Sequence, residues 1–119
     1  MSPAKRGDRV APPAGDGQWE LKVGTTDAAK GWGDLCQQAP RNTARAWETM
    51  RNEPVPTVQN SRHHRLKGEL ATGTCGGRDL PQWQIEVTGG GRIWYLVDEE
   101  TRTVWVVQAS TKHPKRTGG

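Results

Sequence analysis

The stretch Gly89-Gly90-Gly91-Arg92-Ile93-Trp94-Tyr95-Leu96-Val97-Asp98 determines the fold that we expect for this chain. Its three glycines can form a tight turn, and the residues after them form an apolar strand. Residues 83–88 alternate between apolar and polar side chains, as a half-buried strand does. A second turn over residues 98–102 leads into another apolar strand over residues 103–109. Because the last two strands are apolar on both faces, we expect them to lie in the centre of an antiparallel sheet.

The residues that precede this sheet predict one strand and two helices. Residues 19–23 alternate in the same way and indicate an N-terminal strand. Thr25 or Thr26 can cap a first helix, whose apolar residues recur at helical spacing. Pro40 suits the first turn of a second helix directly behind it, so the two helices are expected to form a helical hairpin.

Two further segments lie between the helical hairpin and the alternating strand. Residues 63–70 are basic and indicate a short strand or an extended segment, whereas residues 72–81 indicate a glycine-rich loop. The sheet then has four antiparallel strands if residues 63–70 form a strand, and three if they do not. We therefore expect an α+β fold, with an N-terminal strand, a helical hairpin and then a three- to four-stranded antiparallel sheet.

The composition indicates a single domain with a basic surface. The chain has 119 residues and a formal net charge of +4, from 17 Lys and Arg against 13 Asp and Glu. This charge suits an anionic partner. The chain contains six Trp and no Phe, so tryptophan supplies the large apolar side chains of the core.

The N-terminal residues differ from the rest of the chain. Residues 1–17 are rich in proline, glycine and charge, and we expect a disordered basic arm there, ahead of a single domain over residues 18–117. No run approaches the roughly 18 apolar residues of a membrane span, and the N-terminus has no apolar region of a signal peptide. These features predict a cytoplasmic protein without a membrane partner.

The cysteine and histidine residues do not have the spacing of a metal site. Cys36 and Cys75 are isolated from each other and from any second ligand at zinc-binding spacing. His63 and His64 are adjacent, and adjacent side chains of a strand point to opposite faces. We therefore expect no metal and no cofactor.

Arg92 and the basic C-terminal segment are the candidate contacts for an anion. Arg92 stands where the glycine turn enters a strand, and its guanidinium can hold two phosphate oxygens. Alternatively, Arg92 pairs with Glu86 across the hairpin. The segment Lys112-His113-Pro114-Lys115-Arg116 follows the last strand, where it either contacts phosphate or forms a solvated basic terminus.

Three local motifs occur in the order found in a known family. They are Leu66-Lys67-Gly68, the tryptophan-led strand that turns into Arg92-Ile93-Trp94-Tyr95, and Lys112-His113-Pro114-Lys115 after the last strand. With these motifs and the order of its elements, the chain over residues 18–117 resembles the RelE/ParE superfamily, the toxins of type II toxin–antitoxin systems. The resemblance implies a cognate antitoxin protein as a partner in a toxin–antitoxin hetero-oligomer.

This family contains two activities. RelE-type members are ribosome-dependent endoribonucleases that cleave mRNA, and ParE-type members inhibit DNA gyrase. Cleavage without a metal uses the RNA 2′-hydroxyl as the nucleophile, which requires a base, cations around the phosphate and an acid for the leaving oxygen. The histidines of this chain favour the RelE-like branch, so we expect a metal-free endoribonuclease that cleaves mRNA in the ribosomal A site. The alternatives are a ParE-like gyrase inhibitor and a non-catalytic RNA-binding module.

The resemblance also implies roles for individual residues. The expected catalytic residues are Arg92, His113, His64, Lys67 and Glu86. The expected RNA-binding residues are Arg65, Arg78, Lys112, Lys115 and Arg116. His64 takes the place of the family's base, with its neighbour His63 as the alternative.

Two positions depart from the family's pattern. Gln84 and Glu86 stand where some family nucleases carry paired lysines. The positive charge must then come from Lys67, Arg65 and the C-terminal segment, or else Glu86 itself accepts the proton.

Overall fold

The computed structural model describes residues 6–7 and 13–112, in which two helices and six strands form. Along the chain these elements are β1 (Glu20–Val23), α1 (Thr26–Gln38), α2 (Pro40–Asn52), β2 (His63–Arg65), β3 (Thr72–Cys75), β4 (Arg78–Glu86), β5 (Arg92–Asp98) and β6 (Thr103–Ser110). A short 3₁₀ helix, Gly68–Leu70, lies between β2 and β3. The expected α+β fold, with a helical hairpin between the first strand and the others, is confirmed.

The six strands form a mixed sheet. Its order is β1-β6-β5-β4-β2, and β3 also pairs with β4. β1 runs parallel to β6, whereas the other neighbouring strands are antiparallel. β5 and β6 each have a strand on both sides, as their apolar faces predicted.

Both helices begin at the predicted residues. Thr25 is the N-cap of α1, and its Oγ1 accepts a hydrogen bond from the Ala28 N–H at 2.9 Å. Pro40 occupies the first turn of α2, where a missing N–H leaves no helical hydrogen bond unmade. The two helices pack against each other and against β1, and α1 also packs along β6.

Residues 72–81, expected as a glycine-rich loop, instead form β3 and the start of β4. The two strands meet at Gly76 and Gly77, whose φ angles are +64° and +78°. A two-residue hairpin turn needs this left-handed conformation, which glycine adopts without strain. β3 has only four residues, too few for a clear alternating pattern in the sequence. With β3, five strands follow the helices in the described chain, one more than the largest expected number.

The sheet buries apolar side chains on both faces. On the face that the helices cover, hereafter the helix face, Ile93, Tyr95 and Val97 of β5 belong to the main core. Their neighbours Trp94 and Leu96 point to the opposite face and are also buried. The hairpin of β3 and β4 contributes to this second layer, because a Cβ placed on Gly73 would lie 2.8 Å from Leu96 Cδ2.

The start of the described domain is tied to the edge of the sheet. The buried Arg51 donates from Nη2 to the carbonyl of Pro13. The Ala14 N–H donates to Glu20 Oε2 at 2.8 Å, and Arg102 Nη2 donates to the Gly17 carbonyl at 3.1 Å. Residues 13–17 of the expected disordered arm are therefore bonded to the domain, while residues 1–5 and 8–12 lie outside the described residues.

Within the described residues, neither helix has the length and apolar character needed to cross a bilayer.

The contact between α1 and β6 predicts opposite effects for two glycines of the same helix. A Cβ on Gly31 would lie 1.8 Å from the Ala109 carbonyl oxygen, so Gly31→Ala must push α1 away from the sheet. We expect this change to lower the free energy of unfolding by about 2–3 kcal/mol, measured by urea denaturation.

Gly33→Ala is the matched control. A Cβ on Gly33 would meet no atom within 4 Å, so this substitution should raise the free energy of unfolding by about 0.5–1 kcal/mol through helix propensity. Equal effects of the two substitutions would contradict the close approach of α1 to β6.

Candidate functional site

Strand register brings several of the expected catalytic residues to one end of the sheet. Glu86 of β4 lies opposite Arg92 of β5, and Arg92 lies opposite Ser110 of β6. In the next row, His64 of β2 lies opposite Gln84. Since the buried Ile85 and Ile93 point to the helix face, these polar side chains point to the opposite face. We call Arg62, His64, Glu86 and Arg92 the arginine–histidine cluster.

Arg92 is held by the glycine turn that precedes it. Its Nη1 donates to the carbonyls of Thr88 at 2.8 Å, Gly91 at 3.0 Å and Gly89 at 3.3 Å. The same Nη1 lies 3.4 Å from Glu86 Oε1, so the pairing across the hairpin is present. The side chain is only 12% exposed, and its buried Nε makes no hydrogen bond with the described residues. Arg92 therefore fixes the turn, and its role toward phosphate remains a prediction.

Glu86 lies between two arginines. Its Oε1 faces Arg92, and its Oε2 lies 3.7 Å from Arg62 Nε. Arg62 is 84% exposed, whereas Glu86 is 21% exposed. Arg62 is not among the residues predicted from the sequence, although it precedes His64 by two residues and so shares its face if the strand is extended by one residue. The Glu86 N–H donates to the Arg62 carbonyl at 2.7 Å, which shows that the pairing of β2 with β4 continues to this point.

His64 belongs to a chain of hydrogen bonds across three strands. Trp94 Nε1 donates to Gln84 Oε1 at 2.8 Å, so the Gln84 amide nitrogen faces His64 Nε2, at 3.4 Å. Because that amide nitrogen can only donate, His64 Nε2 is the acceptor. His64 Nδ1 then carries the proton and donates to the Arg65 carbonyl at 2.9 Å. A neutral histidine with an accepting Nε2 has the form of a general base.

His63 points to the helix face and has a different environment. The Tyr95 hydroxyl donates to the Pro54 carbonyl at 2.6 Å, so His63 Nε2 donates in turn to the Tyr95 oxygen at 2.5 Å. Burial, followed by the charge of His64, lowers the pKa of His63 from 6.5 to about 4. Burial also raises the pKa of Tyr95. Of the two adjacent histidines, His64 is the one in the arginine–histidine cluster.

Three other predicted residues are not brought into the cluster by any contact that the structure shows. Lys67 is exposed and directly precedes the 3₁₀ helix. Arg65 donates from Nη2 to the Ala71 carbonyl at 2.9 Å. Arg78 lies at the other end of β4, where its guanidinium contacts Asp98 at 2.8 Å and Glu100 at 3.3 Å.

The C-terminal segment begins next to the glycine turn. Thr111 lies beside the glycine turn, since a Cβ on Gly90 would be 3.4 Å from its carbonyl oxygen. The exposed Lys112 follows, and its N–H donates to Ser110 Oγ at 3.1 Å. The predicted residues His113, Lys115 and Arg116 lie outside the described residues.

The described residues contain no group of three or more His, Cys, Asp or Glu side chains that could hold a metal ion. Cys36 and Cys75 are free thiols, and burial raises the pKa of both.

The chain matches no known protein-family model and no curated protein sequence. Its proposed function therefore depends on the geometry of the arginine–histidine cluster and on the motif residues.

The environment of His63 predicts a stability change with pH. Between pH 6.5 and about pH 4 the unfolded chain binds a proton at His63 that the folded chain does not, so the folded state loses stability as the pH falls through this range. We expect His63 to contribute on the order of 1–2 kcal/mol to this loss, since its ring is only partly buried. Urea denaturation at pH 7 and at pH 4.5 measures it.

Two variants separate the stability loss caused by His63 from the loss caused by carboxylates that titrate in the same pH range. His63→Asn should lose less stability than the wild type between the two pH values, whereas His64→Asn should retain most of the wild-type loss. An unchanged pH dependence in His63→Asn would show that His63 is not the titrating group.

Proposed function

We propose that this chain is a RelE-like toxin, a cytoplasmic endoribonuclease that cleaves mRNA in the ribosomal A site and needs no metal for the reaction. The observation that carries the proposal is the position of His64, whose Nε2 is a hydrogen-bond acceptor. It lies in the row of the sheet next to Glu86, which is paired with Arg62 and Arg92. Arg62 and His64 are two residues apart on one extended segment, a backbone step of roughly 7 Å, which suits a cation and a base acting on the same nucleotide.

In the proposed reaction, the 2′-hydroxyl of the RNA displaces the Gln84 amide from its 3.4 Å hydrogen bond to His64 Nε2, and His64 Nε2 accepts the proton of this hydroxyl. The 2′-oxygen then forms a bond to phosphorus, and the bond from phosphorus to the 5′-oxygen of the next nucleotide breaks. The products are a 2′,3′-cyclic phosphate and a 5′-hydroxyl. Glu86 is the alternative acceptor, in keeping with its place in the same cluster.

The phosphate gains negative charge in the transition state, and arginine is suited to stabilise it. Arg62 is the most available cation, because its side chain is largely exposed and bonded only weakly to Glu86. Arg92 is less available to a phosphate, since its Nη1 already donates hydrogen bonds to three carbonyls. We propose that Arg62 binds the phosphate first and that Arg92 contributes its charge from the turn, with Lys112 adding further charge nearby.

The leaving 5′-oxygen requires a proton. His113 follows Lys112 in the sequence, and we propose that it supplies this proton, as its place in the motif implies. Lys115 and Arg116 add positive charge to the same segment.

A cognate antitoxin is also part of the proposal. The net charge of +4 supports an acidic partner that covers the arginine–histidine cluster and forms a hetero-oligomer with the toxin.

Induced expression in bacteria tests the function. We expect the wild-type chain to arrest growth, with new mRNA 5′ ends mapping inside translated codons. His64→Asn and Arg62→Ala should each slow cleavage by 10²-fold or more, on the order expected for a general base or a phosphate contact. His113→Ala should have a similar effect, whereas Arg92→Ala should also destabilise the glycine turn.

Lys30→Ala is a suitable control, because Lys30 is exposed on α1, on the helix side of the sheet. It should remain fully toxic. Growth arrest with a DNA-damage response but no mRNA cleavage would favour the gyrase-directed alternative. Growth without arrest would favour the RNA-binding module.

A further inference from the structure

A groove of about 400 Å³ lies between α2 and the end of β4. Arg45 and Thr49 line it from α2, and Val87 and Thr88 line it from the strand side. The expected RNA-binding residues do not include any of these four. The groove has no assigned role in the reaction proposed above.

The groove is continuous with the arginine–histidine cluster. Arg62 and Glu86 both line it, and both belong to the cluster. A chain of nucleotides whose phosphate contacts Arg62 would pass around the end of β4, from the face that carries the cluster to the helix face, to enter the groove.

The lining of the groove combines two kinds of surface. Arg45 is exposed, and its guanidinium forms no salt bridge with any described residue, so its charge is available to an anion. The side chains of Asn42, Thr49 and Thr88 offer hydrogen-bond partners for ribose and phosphate. Ile85 and Val87, each 6% exposed, form the apolar base of the groove.

We infer that this groove binds the RNA nucleotide next to the cleaved phosphate, with the phosphate of that nucleotide between Arg45 and Arg62. The inference rests on the proposed function, because it takes the cleaved phosphate to lie at the arginine–histidine cluster. The volume suits a single nucleotide, since pockets for small ligands span roughly 300–1,000 Å³.

RNA fits the groove better than an acidic peptide does. The hydroxyl and amide groups along the walls suit the sugar and phosphate oxygens of a nucleotide. Arg62 borders both the cluster and the groove, as contact with a continuous nucleotide chain requires.

Binding of a non-cleavable oligonucleotide tests the inference. The probes are a pentanucleotide and a dinucleotide of uridine, each with 2′-deoxyribose throughout, so that no attacking hydroxyl is present. In an amide NMR titration of the full chain, we expect the pentanucleotide to shift the Asn42, Thr49 and Thr88 signals, and the dinucleotide to leave them in place.

Two arginines of α2 provide the matched variants. Arg45→Ala should weaken pentanucleotide binding roughly 5- to 10-fold and reduce the dependence of log K on log salt by about 0.7, the loss of one phosphate contact on a single strand. Arg41→Ala removes an equally exposed arginine that does not line the groove, and it should change neither quantity.

The outcomes separate this inference from the proposed function. Groove signals that do not move with the pentanucleotide, or equal losses in Arg41→Ala and Arg45→Ala, would overturn the inference even if the chain cleaves mRNA. Groove signals that respond to a glutamate-rich peptide instead of the oligonucleotide would also overturn it. The expected shifts in a chain that cleaves no mRNA would support the groove and refute the nuclease.

Discussion

The register between β4 and β5 is the constraint on which the rest of the structure depends. Glu86 lies opposite Arg92, and the Arg92 guanidinium closes the glycine turn by donating to three of its carbonyls. A slip of one residue would send the apolar side chains of both strands to the wrong face. Hydrogen bonds from a charged donor in a partly buried turn are therefore well placed to hold this register.

The same register assembles the polar residues on the face opposite the helices. It places His64, Gln84 and Trp94 in one row and Arg62, Glu86 and Arg92 in the next. Each row has its own contacts. In the first row the Trp94 indole N–H donates to Gln84, and in the second row the Arg62 guanidinium lies near the Glu86 carboxylate. The apolar layer of Leu66, Leu80 and Leu96 continues the same face toward the β3–β4 hairpin, so the polar rows border a buried apolar surface.

Local sequence signals predicted most of the fold. Pro40 predicted the start of α2, and Trp94 to Val97, apolar on both faces, predicted a central strand. Tertiary contacts determined the rest. β3 is too short to give an alternating pattern, and its pairing depends on the turn at Gly76 and Gly77. For the candidate site, the sequence left two alternatives open: whether Arg92 pairs with Glu86, and which of His63 and His64 belongs to the site. Both depend on the register of the strands, which determines the neighbours of each side chain and the face of the sheet to which it points.

The central claim, RNA cleavage by the 2′-hydroxyl at the arginine–histidine cluster, is tested most directly by the chemistry of the cut ends. Purified chain is added to ribosomes carrying an mRNA with ordinary ribose in the A-site codon, or the same mRNA with 2′-deoxyribose there. Our account predicts cleavage of the first mRNA to a 2′,3′-cyclic phosphate and a 5′-hydroxyl, and no cleavage of the second. Cleavage of the deoxy-substituted mRNA, 5′-phosphate ends, or no cleavage of either mRNA would contradict it.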